Sequence, residues 1–520
     1  MKVSDVLLRI EAYRGGAPLR LGTTFPWPRS RDEDRLIVAF VRMAGESLPW
    51  GIAAGHPGGD PVVLSVPEPR NPDELARLTR DFGKVLLEHL PHPERATAEQ
   101  QADIGAVARR RQLWVPGATH VEMLHFLDFR YTRAREGEAG VKDLNAVGRA
   151  AGFLFRESTR PGQTRVFDLT RRLRDVFAVP AEDVRQAHLG FLLGWIAGKG
   201  SREERIAAAH LAETESVGVT MSPELEREKL QPLVEHWNKH SKEPELAAAI
   251  ALEIHAVLKG ELLRRYRLAE KALALLDDDG RPPNPELGAL LDLGAEEFVY
   301  QYWSTEHKAA APVLDPNAPR HFGNHPESDF FPAMAAARFF SHQHAADLQS
   351  AELLHGDPAL VEAAIEAGNA LRGRIVHVVN DGTKRAVIPI WTVRSPAEGL
   401  LRLREESAVC VVGLRGRTGT IRSIETDAGV RTLTVEIDGW KRARPEDGAP
   451  AADDAAALEG TEVTLVEAGM AGFSKKKSSR VWNDTGPGAW LTHSAPLPER
   501  SDRPPFEGDL VDFVEKLGGS

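Results

Sequence analysis

Cysteine is almost missing from this chain. Cys410 is the single one, so no intrachain disulfide is possible, which suits a reducing compartment. Its apolar surroundings, Ala408–Gly413, mark it as a buried structural thiol. No segment reaches the length of a membrane span. Charges break every apolar run of Met1–Tyr13, leaving no signal-peptide core there. These absences predict a cytoplasmic chain with no membrane partner. Catalytic motifs are also missing. There is no Gly-x-x-x-x-Gly-Lys-Ser/Thr phosphate loop. The nearest match, Gly194–Gly200, falls at a helix end and lacks the hydroxyl that would hold magnesium, so Gly198 and Gly200 read as helix punctuation. No Gly-x-Ser-x-Gly elbow and no His-Glu-x-x-His pair occur. No cofactor is expected, and no residue is assigned a catalytic role.

What is present is ordinary soluble composition: 42% hydrophobic and 27% charged residues over 520 positions. That length exceeds a single core and implies several domains. A net charge of −11 speaks against wholesale coating of nucleic acid, so any such contact must be a local patch.

The expected fold class is multi-domain α+β. Residues 1–92 read as a small α+β domain, with a first helix and strands at Leu19–Phe25, Leu36–Met43, Trp50–Ala54 and Val62–Val66. A helix then opens at Asn71-Pro72 and buries Leu75, Leu78, Phe82 and Leu86. Residues 113–370 read as a large irregular helical bundle. Its longest helix, near 244–276, carries Ile250, Ile254, Leu258 and Leu262 at helical spacing, and Gly260 suggests close packing or a bend. The aromatics Trp114, Phe126, Phe129, Tyr131, Phe153, Phe155, Phe191 and Trp195 are assigned to its core. Residues 371–495 read as a small β-barrel of SH3 or OB type, with a disordered insertion near 445–459. Residues 496–520 form a Pro/Arg-rich tail with a short helix.

Two regions offer chemistry. His307, His321, His325, His342, His344 and His355 crowd the segment 307–355, but their spacing is poor for chelation, so no metal ligand is assigned. The barrel stretch is basic, with 14 Lys and Arg against 8 Asp and Glu from Arg372 to Arg444. In Arg415-Gly-Arg-Thr-Gly419 the glycines would let backbone approach a ligand between two guanidiniums. The candidate nucleic-acid contacts are Arg385, Arg415, Arg417 and Arg422, with the loop cations Lys475, Lys476, Lys477 and Arg480. Trp482 beside them is a candidate base-stacking platform.

Residues 374–437 resemble the small barrel associated with superfamily 1 DNA and RNA helicases, through their hydrophobic rhythm and the basic Gly-Arg-Thr-Gly segment. The resemblance implies contact with the nucleic-acid backbone. With no phosphate loop here, it also implies an ATPase motor on another chain. The expectation is a non-catalytic nucleic-acid-associated accessory factor that binds DNA or RNA, its helical body recruiting a protein partner. The alternatives are a protein–protein adaptor without nucleic acid, and a metal-dependent hydrolase using the His-rich segment 307–355.

Overall fold

The computed structural model describes residues 3–21, 27, 30–90, 111–132, 141–159, 163, 165–278, 280, 354–355, 357–381, 388–414, 417–438 and 458–467. The chain is mixed α and β. Its two larger sheets each organise one body.

The first body is built on a five-stranded sheet of order β4-β3-β2-β5-β6. Its strands are β2 (Arg35–Arg42), β3 (Pro49–Gly55), β4 (Val62–Ser65), β5 (Gln112–Val115) and β6 (Val166–Asp168). β2, β3 and β4 form an antiparallel meander, whereas β5 and β6 join parallel to β2. The sheet therefore takes strands from both sides of residues 92–113, and β5 and β6 arise in a stretch whose sequence reads as helical. Leu19–Arg20 (β1) does not enter this sheet. It pairs with Phe177–Ala178 (β7).

Helices cover both faces, which explains why β2 and β3 are buried almost without interruption. α1 (Val3–Gly15) precedes the sheet, and α2 (Pro72–His89) follows β4. Asn71 caps α2, its Oδ1 accepting from the amides of Asp73 and Glu74, with Pro72 at the first position. Phe82 of α2 meets Phe40 of β2 edge-on, at 5.7 Å between ring centroids. α3 (Ala118–Tyr131) and α4 (Val141–Ser158) link β5 to β6. Five shorter helices come after β6: α5 (Leu169–Val176), α6 (Asp183–Gln186), α7 (Leu189–Ile196), α8 (Arg202–Glu213) and α9 (Gln231–His240). The 34-residue α10 (Pro244–Asp277) lies on the other face, where Leu262 packs over Gly51 of β3. At its far end Asp277 grips the buried Arg35 of β2 with two hydrogen bonds, of 2.5 and 3.0 Å.

Of the aromatics assigned to a core, Trp114, Tyr131, Phe153, Phe191 and Trp195 are buried, but Phe129 is 84% exposed. Gly260 has open space around it, so it is not a close-packing position. Among the glycines that do bring helices together are Gly148 and Gly152 of α4, which lie against the backbone of Tyr131 and Thr132 and the side chain of Asp128.

The second body is an antiparallel sheet of six strands: β8 (Ala370–Asn380), β9 (Pro389–Pro396), β10 (Ala408–Val411), β11 (Thr418–Asp427), β12 (Val430–Asp438) and β13 (Glu462–Glu467). The order is β10-β11-β12-β9-β8-β13, and β13 pairs again with β10, so the sheet closes on itself. Alternate residues fill its interior around the fully buried Trp391. Ala428 and Gly429 both take positive φ in the two-residue turn joining β11 to β12, the geometry that matches the twist of a hairpin. α11 (Pro358–Glu366) leads into β8. Beside it, Cys410 is buried against Leu354, Val361, Ala364, Ala370 and Val466, and burial pushes its thiol up to about 11.

The two glycine environments give opposite expectations. Gly148→Ala would put a methyl 2.7 Å from the carbonyl carbon of Tyr131, and should cost about 1–3 kcal/mol by overpacking. Gly260→Ala should instead stabilise by about 0.5–1 kcal/mol through helix propensity. Urea midpoints of the two variants check both signs.

Candidate functional site

In open α/β sheets, ligands lodge outside the carboxyl ends of the strands, where the strand order reverses. Here that place lies between β2 and β5. β5 pairs with β2 only over Arg35–Ile37, so the last residues of β2 outrun it. Their amides are taken up from elsewhere. The amide of Phe40 donates to His120 Nδ1 at 3.0 Å, and that of Arg42 donates to the Val219 carbonyl at 2.8 Å. Arg42 and Thr220 also form a parallel bridge. Because His120 Nδ1 accepts, the ring proton sits on Nε2, which donates to the Val217 carbonyl at 3.1 Å.

The segment Ser216–Thr220 thus straps across the crevice, and α10 holds it down. Arg265, with 0% exposure, donates to the carbonyls of Gly218 at 2.7 Å and Thr220 at 2.8 Å. It also pairs with Glu261 at 2.6 Å, while Arg264 donates to the Ser216 carbonyl. Desolvation would raise the Glu261 carboxyl, but hydrogen bonds from Arg265 and Arg264 outweigh it and hold the group below its ordinary value. At the next strand end, Asp168 is raised by burial, yet its carboxylate is committed to capping α5 through the amide of Arg171. The crevice is therefore filled by the chain's own polar groups. Among the described residues, no group of three or more His, Cys, Asp or Glu is placed to hold a metal ion.

The barrel is the site that the sequence singles out. Of its candidate residues, Arg417 and Arg422 are described. Arg385, Arg415, Lys475, Lys476, Lys477, Arg480 and Trp482 lie outside the described residues, as do 445–457 of the expected insertion, the tail and all of the His-rich segment except Leu354 and His355. His355 Nδ1 accepts from the amide of Gly413, a structural task at the turn after β10.

Arg422 is exposed but engaged. It makes two hydrogen bonds to Glu436 Oε2, at 2.9 and 2.8 Å, and lies 3.7 Å from Glu406. A phosphate there has to displace both carboxylates. Arg417 is half-buried, and desolvation lowers its guanidinium below the ordinary value. Its backbone closes the turn between β10 and β11. Gly419 serves the barrel itself: a Cβ there would come within 2.6 Å of the Glu436 carbonyl oxygen and 2.9 Å of Ile437. That close strand contact, rather than approach to a ligand, explains the glycine.

Across the described barrel residues (370–381, 388–414, 417–438 and 458–467), eight arginines face eleven Asp and Glu. The surplus counted over Arg372–Arg444 thus falls on Lys384, Arg385, Arg415, Lys441, Arg442 and Arg444, which lie outside the described residues. Strand direction sorts the connections that carry them. β8, β10 and β12 run toward one end, from which β9, β11 and β13 return. The ends of the β8–β9, β10–β11 and β12–β13 connections therefore share that end. Their sequences carry Lys384 and Arg385 beside Asp381, Arg415 and Arg417, and Lys441, Arg442 and Arg444 followed by Glu446, Asp447, Asp453, Asp454 and Glu459. The opposite end has Glu398, Glu405, Glu406, Glu425 and Asp427 beside Arg402, Arg404 and Arg431, the last donating to the carbonyls of Glu398 and Gly399.

The buried histidines set an acid limit. Burial pushes His120 and His89 down to about 3 from an ordinary 6.5. The unfolded chain therefore binds more protons than the folded one across that window, and stability falls as pH falls through it. The expected slope is up to about 1.4 kcal/mol per pH unit for each ring between pH 6 and 4. Urea unfolding at stepped pH measures it, and a flat profile would refute the neutral buried rings. Comparison of the chain with protein-family models, curated proteins and solved structures finds no match.

Proposed function

We propose that this protein is a non-catalytic nucleic-acid-associated factor. In this reading the cations of the three connections that leave and re-enter one end of the barrel, Lys384, Arg385, Arg415, Arg417, Lys441, Arg442 and Arg444 in sequence, hold the phosphate backbone. The observation that carries it is topological: three separate connections, each with its own cations, begin and end on the same rim. The OB fold, a small five-stranded and partly open barrel, binds oligonucleotides through one strand face and its loops. Lys475, Lys476, Lys477 and Arg480 supply further phosphate contacts, and Trp482 a stacking surface. The strapped crevice of the first body supports a binding role over a catalytic one, because its polar groups are already committed to one another. Any motor activity belongs to a partner polypeptide recruited by the helical body.

Such contacts give weak sequence preference and steep salt dependence. With about three phosphates neutralised, affinity should weaken roughly 40-fold between 50 and 200 mM salt. Fluorescence anisotropy with labelled single- and double-stranded DNA and RNA measures this. Arg415→Glu with Arg417→Glu should lower affinity and flatten the salt slope, as should Glu at Lys475, Lys476, Lys477 and Arg480. Arg402→Glu with Arg404→Glu, at the other end, should change little. No binding at 50 mM salt would overturn the reading and leave protein scaffolding in its place.

A further inference from the structure

We propose that His236 and His240 of α9 form a binding site for a late first-row divalent cation, with Glu243 as its supporting carboxylate. The two histidines are four residues apart on one helix, so both project from the same face. Their ring centroids are 4.8 Å apart, at an interplanar angle of 83°. His236 is exposed and His240 half-buried, so the former is free to turn while the latter is held.

What holds His240 is the second observation. Its Nδ1 lies 2.9 Å from Glu243 Oε1. A carboxylate only accepts, so Nδ1 donates and carries the proton. That fixes the tautomer in which Nε2 presents a bare lone pair. A carboxylate behind an imidazole is the arrangement that orients metal-ligating histidines and raises their basicity. Glu243 ends the turn joining α9 to α10, where Pro244 opens the next helix, so the support comes from a fixed point in the chain.

Two imidazole nitrogens select nickel, copper or zinc over magnesium or calcium, which prefer oxygen ligands. Among the described residues no three-ligand group exists, so water completes the shell and the site is open. Lys239 and Lys242 flank it, leaving the total local charge low and the affinity moderate. The cation bridges successive turns of α9 and therefore binds the helical form alone, stabilising the segment that follows the π-helical turn Leu225–Leu230.

The test is calorimetric titration of the full chain with nickel chloride and with zinc chloride at pH 7.5, joined to copper electron paramagnetic resonance. The expected dissociation constant is on the order of 10 µM, with nitrogen hyperfine structure from two rings. His236→Asn and His240→Asn should each weaken binding at least tenfold. Glu243→Gln, which keeps both ligands and the fold, should weaken it about tenfold through the lost carboxylate. His321→Asn with His325→Asn should leave this affinity unchanged. Binding should weaken on acidification, because both ligands must be deprotonated. Equal affinity in the His236→Asn/His240→Asn double variant, with unchanged circular dichroism, would overturn the proposal. So would the absence of any binding tighter than roughly 1 mM.

Discussion

A buried amide without a partner is expensive, and the first body is organised around avoiding that cost at one place. β2 is longer than β5, so the amides of Phe40 and Arg42 point into the interior with no neighbouring strand to receive them. The imidazole of His120 and the carbonyl of Val219 take up that demand. This in turn requires the strap Ser216–Thr220, and the strap's own carbonyls are satisfied by Arg265 from α10. One mismatch in strand length thus explains a neutral buried histidine, a fully buried arginine and the route of a loop. Each is a polar group in an apolar interior, and each is tolerated because the others pair with it.

The same chain of dependence closes the crevice that an α/β sheet of this order would otherwise offer. The strap adds as an extra parallel segment beside β2. Opening it would strip the buried Arg265 of its carbonyl partners at Gly218 and Thr220, and a buried charged donor left unsatisfied is costly. That gives the site the character of a core rather than a pocket, and it moves functional attention to the surfaces: the barrel rim and the histidine face of α9.

Local chemistry was legible in the sequence where an element declares itself through its own residues. Asn71 and Pro72 mark the start of α2, Ile250 to Leu262 carry the inner stripe of α10, and alternation marks β8 to β12. β5 and β6 were not legible, because Gln112–Val115 and Val166–Asp168 are too short to show a period of two, and their state is set by pairing with β2 and with each other. The glycines illustrate the same limit. Gly260 and Gly148 look alike in a helical sequence, yet one faces open space and the other meets the end of α3. Charge counted along Arg372–Arg444 merged strands with connections and one barrel end with the other, which only the strand bounds and directions separate. The His236–His240 pair was readable from spacing alone, but its partner Glu243 needed the turn after α9.

The grip of Asp277 on Arg35 has a consequence for how the chain is made. The two residues are 242 positions apart, and the Arg35 side chain is only 4% exposed. On a ribosome, β2 and the nearby Asp32, 3.6 Å from Arg35, emerge long before Asp277. Until the last turn of α10 has been synthesised, the sheet contains a cation whose burial has no full compensation, and the strap lacks Arg265 as well. Nascent chains of about 170 to 280 residues thus hold all five strands of the sheet but lack the acid that ends α10. The first body should settle late and as a unit, its first strand waiting for its last helix.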